Sequence, residues 1–230
     1  RDLHSFPTRR SSDLGALKPI GVQASVTDPH LSLTPEEERD ADHLLAQLGV
    51  QRSRPMVILQ PGARYWFKAW PPERFAELAD RVATEYGYQV LIGGSQQDGG
   101  VAQQIRQLAN SGPITMAGRT TIRQFAAIAK KSVLFVGNDS GAMHIASAMG
   151  TPVVALFGPS NPSEWGPRGG PVVVLYKGLD CRSCFHPTCR RGEENCMRLV
   201  TVQEVLAAVQ QLLAAEKLGH GTVLRNSSAD

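Results

Sequence analysis

Apolar and polar positions along this chain fall into blocks, and the blocks alternate in period. Five short runs, near 56–60, 88–93, 133–137, 153–157 and 172–175, are almost wholly apolar, as parallel strands covered on both faces are. Between them, segments near 72–86, 100–109, 121–130, 141–149 and 202–215 repeat apolar residues every three or four positions, the period of a helix packed along one side. In the first of these, Phe75, Leu78, Ala79, Val82 and Ala83 share a face, Pro72 suits the first turn and Gly87 ends the element. Upstream, Thr34-Pro35-Glu36-Glu37-Glu38 predicts another helix start, with a hydroxyl cap, a proline in the first turn and acids against the dipole. Leu44, Leu45 and Leu48 give that helix an apolar side before Gly49. The alternation predicts an α/β fold, a doubly wound parallel sheet of Rossmann type.

Two strand-to-helix junctions carry candidate chemistry. After Val133-Leu134-Phe135-Val136 come Gly137-Asn138-Asp139-Ser140-Gly141, which combine N-cap residue types with a glycine that permits close backbone approach. Met143, Ile145, Ala146 and Met149 then suit a packed helix, closed by Gly150 with Pro152 beyond. A helix opening there aims free N–H groups and a positive dipole end at the sheet rim, where a phosphate would bind; a capped helix without a ligand is the alternative. At the second junction, the strand ending at Gln60 runs into Pro61-Gly62-Ala63-Arg64-Tyr65-Trp66-Phe67-Lys68-Ala69-Trp70-Pro71. Arg64 as a bidentate fork and Lys68 as a point charge could neutralise a pyrophosphate. Ordinary solvated charge is the other reading, but this loop follows the carboxyl end of a strand, where open α/β sheets bind ligands.

The 230 residues are 42% hydrophobic with a net charge of +3, enough for one sizeable core and too near neutral to argue for nucleic acid. No window approaches the ~20 apolar residues of a membrane span, so the expectation is a cytoplasmic chain. Its small cationic excess is compatible with an anionic lipid headgroup, and equally with a solvated surface. Residues 1–14 share no periodicity with the rest of the chain and resemble translated adapter sequence; a transit-type peptide is the biological alternative, and neither belongs to the fold. Residues 216–230 turn polar and are expected to be a frayed tail. Cys181, Cys184, Cys189 and Cys196 form C-x2-C-x4-C-x6-C beside His186. In a cytosolic chain that spacing suggests a structural zinc clip before disulfides, with reduced loop cysteines as the alternative.

Several ordered segments together resemble glycosyltransferase family nine, the bacterial enzymes similar to the ADP-heptose:lipopolysaccharide heptosyltransferases. They are Gly62-Ala63-Arg64 with Lys68-Ala69-Trp70-Pro71, Ala117-Gly118-Arg119-Thr120-Thr121, Gly137 to His144, and Gly150-Thr151-Pro152-Val153-Val154-Ala155-Leu156-Phe157-Gly158-Pro159. Arg64-Tyr65-Trp66-Phe67-Lys68 resembles the third core heptosyltransferases. The resemblance implies the C-terminal, donor-binding half of a two-domain GT-B enzyme. Residues 15–50 would be a remnant of the first domain and a linker helix, and 51–215 the nucleotide-sugar domain, with its Cys loop at 181–196.

The resemblance also implies roles. Lys68 falls where the family contacts the phosphates and donor sugar. Ala63 and Arg64 fall where small or hydroxylated residues line the phosphates, so Arg64 departs in part. Asp139, Ser140 and Gly141 match the loop meeting the diphosphate and sugar, and His144 the histidine one turn along, where a satisfied core histidine is the alternative. Thr120 falls at the adenine edge, and Gln96 where the family usually has a glutamate holding the ribose. The chemistry implied is inverting transfer of heptose from ADP-heptose to the lipopolysaccharide inner core or a lipid A-linked acceptor, with no cofactor required for transfer. It would take place in the cytoplasm at the inner face of the inner membrane, through peripheral association. The base is expected in the first domain, and no residue here is assigned to it. A nucleotide-sugar epimerase of the same architecture and a noncatalytic nucleotide-binding module are the competing functions.

Overall fold

A computed structural model of the chain describes residues 18–20, 29–179, 181 and 189–217. The opening segment 1–14, Cys184, His186 and the tail beyond 217 lie outside the described residues. Each apolar run forms a strand: β1 (Met56–Gln60), β2 (Gln89–Ile92), β4 (Leu134–Asn138), β5 (Val153–Phe157) and β6 (Val172–Tyr176). A short β3 (Ile114–Thr115), which the sequence pattern missed, adds the edge beside β2. Its two half-buried residues are too few to show a period.

All the pairings are parallel, and the strand order is β3-β2-β1-β4-β5-β6. The chain therefore winds outward from β1 through β2 to β3 and then returns to place β4 on the other side of β1. The two windings diverge at the β1/β4 boundary, and this switch point is where such a sheet leaves a crevice at the carboxyl ends of its strands.

Helices cover both faces. On one, α2 (Pro72–Tyr86), α3 (Gly99–Leu108) and α8 (Val202–Lys217) pack over Val57, Leu59, Val136 and Leu156. Gly87 ends α2 in the left-handed conformation at φ 69°, which a residue with a Cβ adopts only under strain. On the other face, α4 (Ile122–Lys131) and α5 (Gly141–Ala148) lie over Ile58, Phe135 and Ala155. Ile58 and Leu59, adjacent in β1, are both fully buried on opposite faces, and each such burial stabilises the fold by roughly 1.5–3 kcal/mol. Two single-turn helices, α6 (Pro162–Trp165) and α7 (Cys196–Leu199), complete the set among the described residues; at four residues each they too lack a readable period.

Helix α1 (Pro35–Gln47) starts as its sequence predicts, with the Thr34 side chain accepting from the Glu37 N–H and Glu37 returning the bond to the Thr34 N–H. It then lies along α4 and adds Ala41, Leu44 and Leu45 to the same core. Its acids lock it there: Arg123 donates to both Glu37 carboxylate oxygens at 2.5 and 2.7 Å, and Lys130 meets Glu38 at 2.7 Å. The Arg123 hydrogen bonds, helped by the Thr34 N–H, hold the Glu37 carboxyl at a pKa of about 2, below its ordinary 4.5. A depressed acid adds stability that is complete above its unfolded-state value and is lost as pH falls toward the folded one. Urea unfolding should therefore show Glu37→Gln less stable than the parent at pH 7, with the gap closing as pH is lowered from about 5 to about 2; a gap independent of pH would mean that the charge contributes nothing.

Candidate functional site

Asn138, the last residue of β4, is fully buried and polar, and its amide organises the rim. Its Oδ1 accepts from the Trp70 N–H at 3.1 Å and its Nδ2 donates to the Pro61 carbonyl at 2.7 Å. One side chain thus ties down both ends of the 61–70 loop. By sequence Asn138 groups with the N-cap residue types; in the fold it is a staple between β1 and β4.

The loop is also held from inside. Phe67 is buried within the turn Trp66–Lys68, with Tyr65 stacked on its ring at 5.2 Å. Trp70 is buried against Phe75, and its indole N–H donates to the Val200 carbonyl at 2.9 Å. Anchored so, the loop delivers Lys68 across the switch point, where its ammonium meets Asp139 at 2.8 Å. Both side chains are mostly buried, at 23% and 11% exposed, so this pair is screened less than a surface pair. Two residues singled out from separate motifs, Lys68 and Asp139, are brought into direct contact. Arg64 lies out on the rim, over the Tyr65 ring at 5.4 Å, and Ala63 is half-buried beside it.

Ser140 is the N-cap of α5, but its hydroxyl does not cap. The Oγ is buried and meets no hydrogen-bond partner among the described residues. A buried hydroxyl without a partner is unfavourable, and its position at the open end of a helix marks a place where a ligand oxygen fits. Gly141 follows with open space where a Cβ would stand. His144 is half-buried one turn further along α5.

The remaining candidates converge from the β2 and β3 ends. Gln96 is exposed on a turn over Gln96–Asp98, which is closed by the Asp98 carboxylate accepting from the Ser95 N–H at 2.7 Å. The Gly118 N–H donates to the Gly94 carbonyl at 3.0 Å, and a Cβ on Gly118 would come within 3.0 Å of the Gln96 Cα. Half-buried Thr120 follows two residues after that contact. Gly62 in turn lies on Asp98, whose carboxylate a Cβ there would approach to 2.6 Å. The loops after β1, β2 and β3 therefore touch one another, and with the β4–α5 junction they ring the switch point. A cavity of about 360 Å³ lined by Asp42, Arg52, Arg54 and Lys131 lies at the opposite, amino end of the strands. Lys131 there pairs with Asp42 and Arg54 donates to the Gly87 carbonyl, but among the described residues no helix opens onto that cavity with an unpartnered hydroxyl such as Ser140 supplies at the carboxyl rim.

The cysteine motif is only partly described. Cys181 and Cys189 are half-buried, whereas Cys196 is buried as the first residue of α7. Among the described residues no group of three or more His, Cys, Asp or Glu is placed to hold a metal ion. Cys181 and Cys196 both flank Tyr176, whose phenol is pushed up by burial and by these neighbours. The segment after Cys196 is joined to the rim, since Val200 accepts from Trp70. Sequence spacing alone does not put this segment near the candidate site.

A parallel sheet in the order 3-2-1-4-5-6, with a cationic loop and an open helix end facing its switch point, defines a Rossmann-like α/β domain. The model of glycosyltransferase family 9 (heptosyltransferase) matches residues 9–194, a match that begins within the opening segment. The chain belongs to glycosyltransferase family 9. It is 30% identical to lipopolysaccharide heptosyltransferase 3 of Escherichia coli over 211 residues, which are 90% of this chain and 61% of that protein. Among solved structures, the family 9 glycosyl transferase of Veillonella parvula superposes with a TM-score of 0.77 at 27% identity, covering 87% of this chain and 58% of that one. The E. coli ADP-heptose lipopolysaccharide heptosyltransferase II superposes with a TM-score of 0.70 at 28% identity, covering 85% and 56%. The chain thus spans about 60% of the length of the relatives it matches. Among the described residues no helix is long and apolar enough to cross a membrane.

If Asn138 is the staple, Asn138→Ala should leave the Trp70 N–H and the Pro61 carbonyl unpaired and cost roughly 2–4 kcal/mol in urea unfolding. A loss below about 1 kcal/mol would show that the loop holds its position without Asn138.

Proposed function

We propose that this chain carries the donor side of an inverting heptosyltransferase, which takes heptose from ADP-heptose to the inner core of lipopolysaccharide. Membership of family 9 supports the reaction class, and the Lys68–Asp139 pair across the switch point, beside the open end of α5, is the observation that supports the site. In such a transfer the acceptor hydroxyl attacks the anomeric carbon from the side opposite the diphosphate. The bond from that carbon to the diphosphate oxygen breaks, and the hydroxyl proton passes to a base.

The leaving diphosphate gains charge as its bond breaks, and fixed positive groups aimed there lower the barrier. Lys68 supplies one, and its ammonium keeps two further N–H donors after bonding Asp139. The first N–H groups of α5, at Gly141 and beyond, supply others, and the Ser140 hydroxyl is free to donate. Asp139, neutralised by Lys68, is suited to a donor-sugar hydroxyl. Thr120 and Gln96 stand where the nucleoside would extend, His144 and Ala63 line the phosphate side, and Arg64 guards the rim. No residue of this rim is assigned the base. Together with the acceptor surface, the base is proposed to lie outside the Rossmann-like unit, in the part of the family architecture that these residues do not span. On this reading the acceptor is lipid-linked, and the transfer is proposed to occur at the cytoplasmic face of the inner membrane. An epimerase reading has no support from the family match.

Lys68→Ala should weaken ADP binding by the ~1.5–3 kcal/mol of a charge-assisted contact, on the order of 10- to 100-fold in Kd by calorimetric titration. Equal affinities would remove Lys68 from the site. In a heptose-transfer assay with a lipopolysaccharide core acceptor, the 230 residues alone should be silent and the same residues joined to a family 9 first domain active. Comparable turnover by both would place the base within this chain.

A further inference from the structure

Gln60 closes β1 and breaks an otherwise apolar strand, Met56-Val57-Ile58-Leu59. It is 6% exposed, yet nothing among the described residues hydrogen-bonds to its amide. Its amide atoms are not among the buried unpartnered ones, so the amide of a largely buried residue still reaches solvent at the strand end, where its donors and acceptor are open to a ligand.

The surroundings are built for it. Gln60 lies on the same face of the sheet as Ile58, with Gly93 following β2 on one side and its register partner Gly137 in β4 on the other. A Cβ on Gly93 would fall on the Gln60 Oε1, and one on Gly137 would approach the Gln60 Cβ to 2.8 Å. Two glycines thus clear a slot in which the side chain extends away from the Lys68–Asp139 pair and toward the end of β2. The next residue there, Gly94, accepts from the N–H of Gly118, a residue that lies against Gln96. On the donor reading, Gly93 and Gly94 lie toward the nucleoside side of the crevice, and the unpartnered Ser140 Oγ toward its phosphate side.

We propose that Gln60 is a specificity-determining residue whose amide hydrogen-bonds a ribose hydroxyl of the bound nucleotide. An amide offers both donors and an acceptor. A phosphate oxygen only accepts, whereas a hydroxyl does both, so the amide matches a hydroxyl and leaves the phosphates to Lys68 and α5. This inference rests on the reading of the rim as a nucleotide-sugar donor site.

Gln60→Met keeps the length and volume of the side chain and removes the hydrogen-bonding groups. Binding of ADP and of inorganic pyrophosphate would be measured by calorimetry for the parent and the variant, alongside thermal unfolding. The variant is expected to melt at the parent temperature or above, to bind ADP at least about fivefold more weakly, and to bind pyrophosphate as the parent does. Undiminished ADP affinity would overturn the proposal. So would an equal loss for both ligands, or a lower melting temperature, since either makes the amide a phosphate ligand or a structural group. A parent that binds neither ligand would refute the donor reading itself and the proposal with it.

Discussion

The cationic loop on the rim of this domain is tied down by one buried amide. Asn138 ends a strand that is hydrophobic everywhere else, and it bonds a carbonyl and an N–H at the two ends of a loop that begins on the neighbouring strand. Without it, the 61–70 loop would keep the packing of Phe67 and Trp70, the indole bond to the Val200 carbonyl and the Lys68–Asp139 pair, but no tie between its two ends. With it, the backbone at Lys68 is fixed relative to Asp139, the residue that directly follows Asn138 in the chain. The ion pair is therefore a consequence of the staple: two charges are held within 2.8 Å by strand geometry and do not have to find each other.

That pairing decides how the crevice can receive an anion. An isolated carboxylate beside α5 would oppose the approach of a diphosphate to the helix end. Bonded to Lys68, it adds no net charge to the site, and the ammonium keeps donors for a second partner. An anion can then approach Lys68 and the first N–H groups of α5 from the open side that Gly141 leaves clear.

The long elements were legible because their residues obey one period. The apolar runs became β1, β2, β4, β5 and β6, and the amphipathic segments became α2 to α5 and α8, with ends displaced by no more than a residue or two. The capping residues Thr34, Gly87 and Gly150 were legible for the same reason, since each closes a local pattern. Strand β3 and the single-turn helices were not, because two to four residues carry no period and are held by their neighbours. At the rim, the motifs named Lys68 and Asp139, but their contact depends on β1 and β4 being adjacent, which is a property of strand order. Asn138 and Gln60 were missed as structural and ligand-facing groups. The signal was present in both cases as a polar residue closing an apolar strand, and its meaning depended on what lay beside that strand end.

The crevice at the β1/β4 switch point is the proposed nucleotide site of this domain. The assignment is tested most directly by following backbone amide resonances of the labelled protein during titration with ADP. Saturable shifts confined to the carboxyl rim are expected, at Ala63 to Trp70, Gly94 to Asp98, Ala117 to Thr120 and Asp139 to His144. Shifts centred instead on Asp42, Arg52, Arg54 and Lys131, at the other end of the sheet, would contradict it.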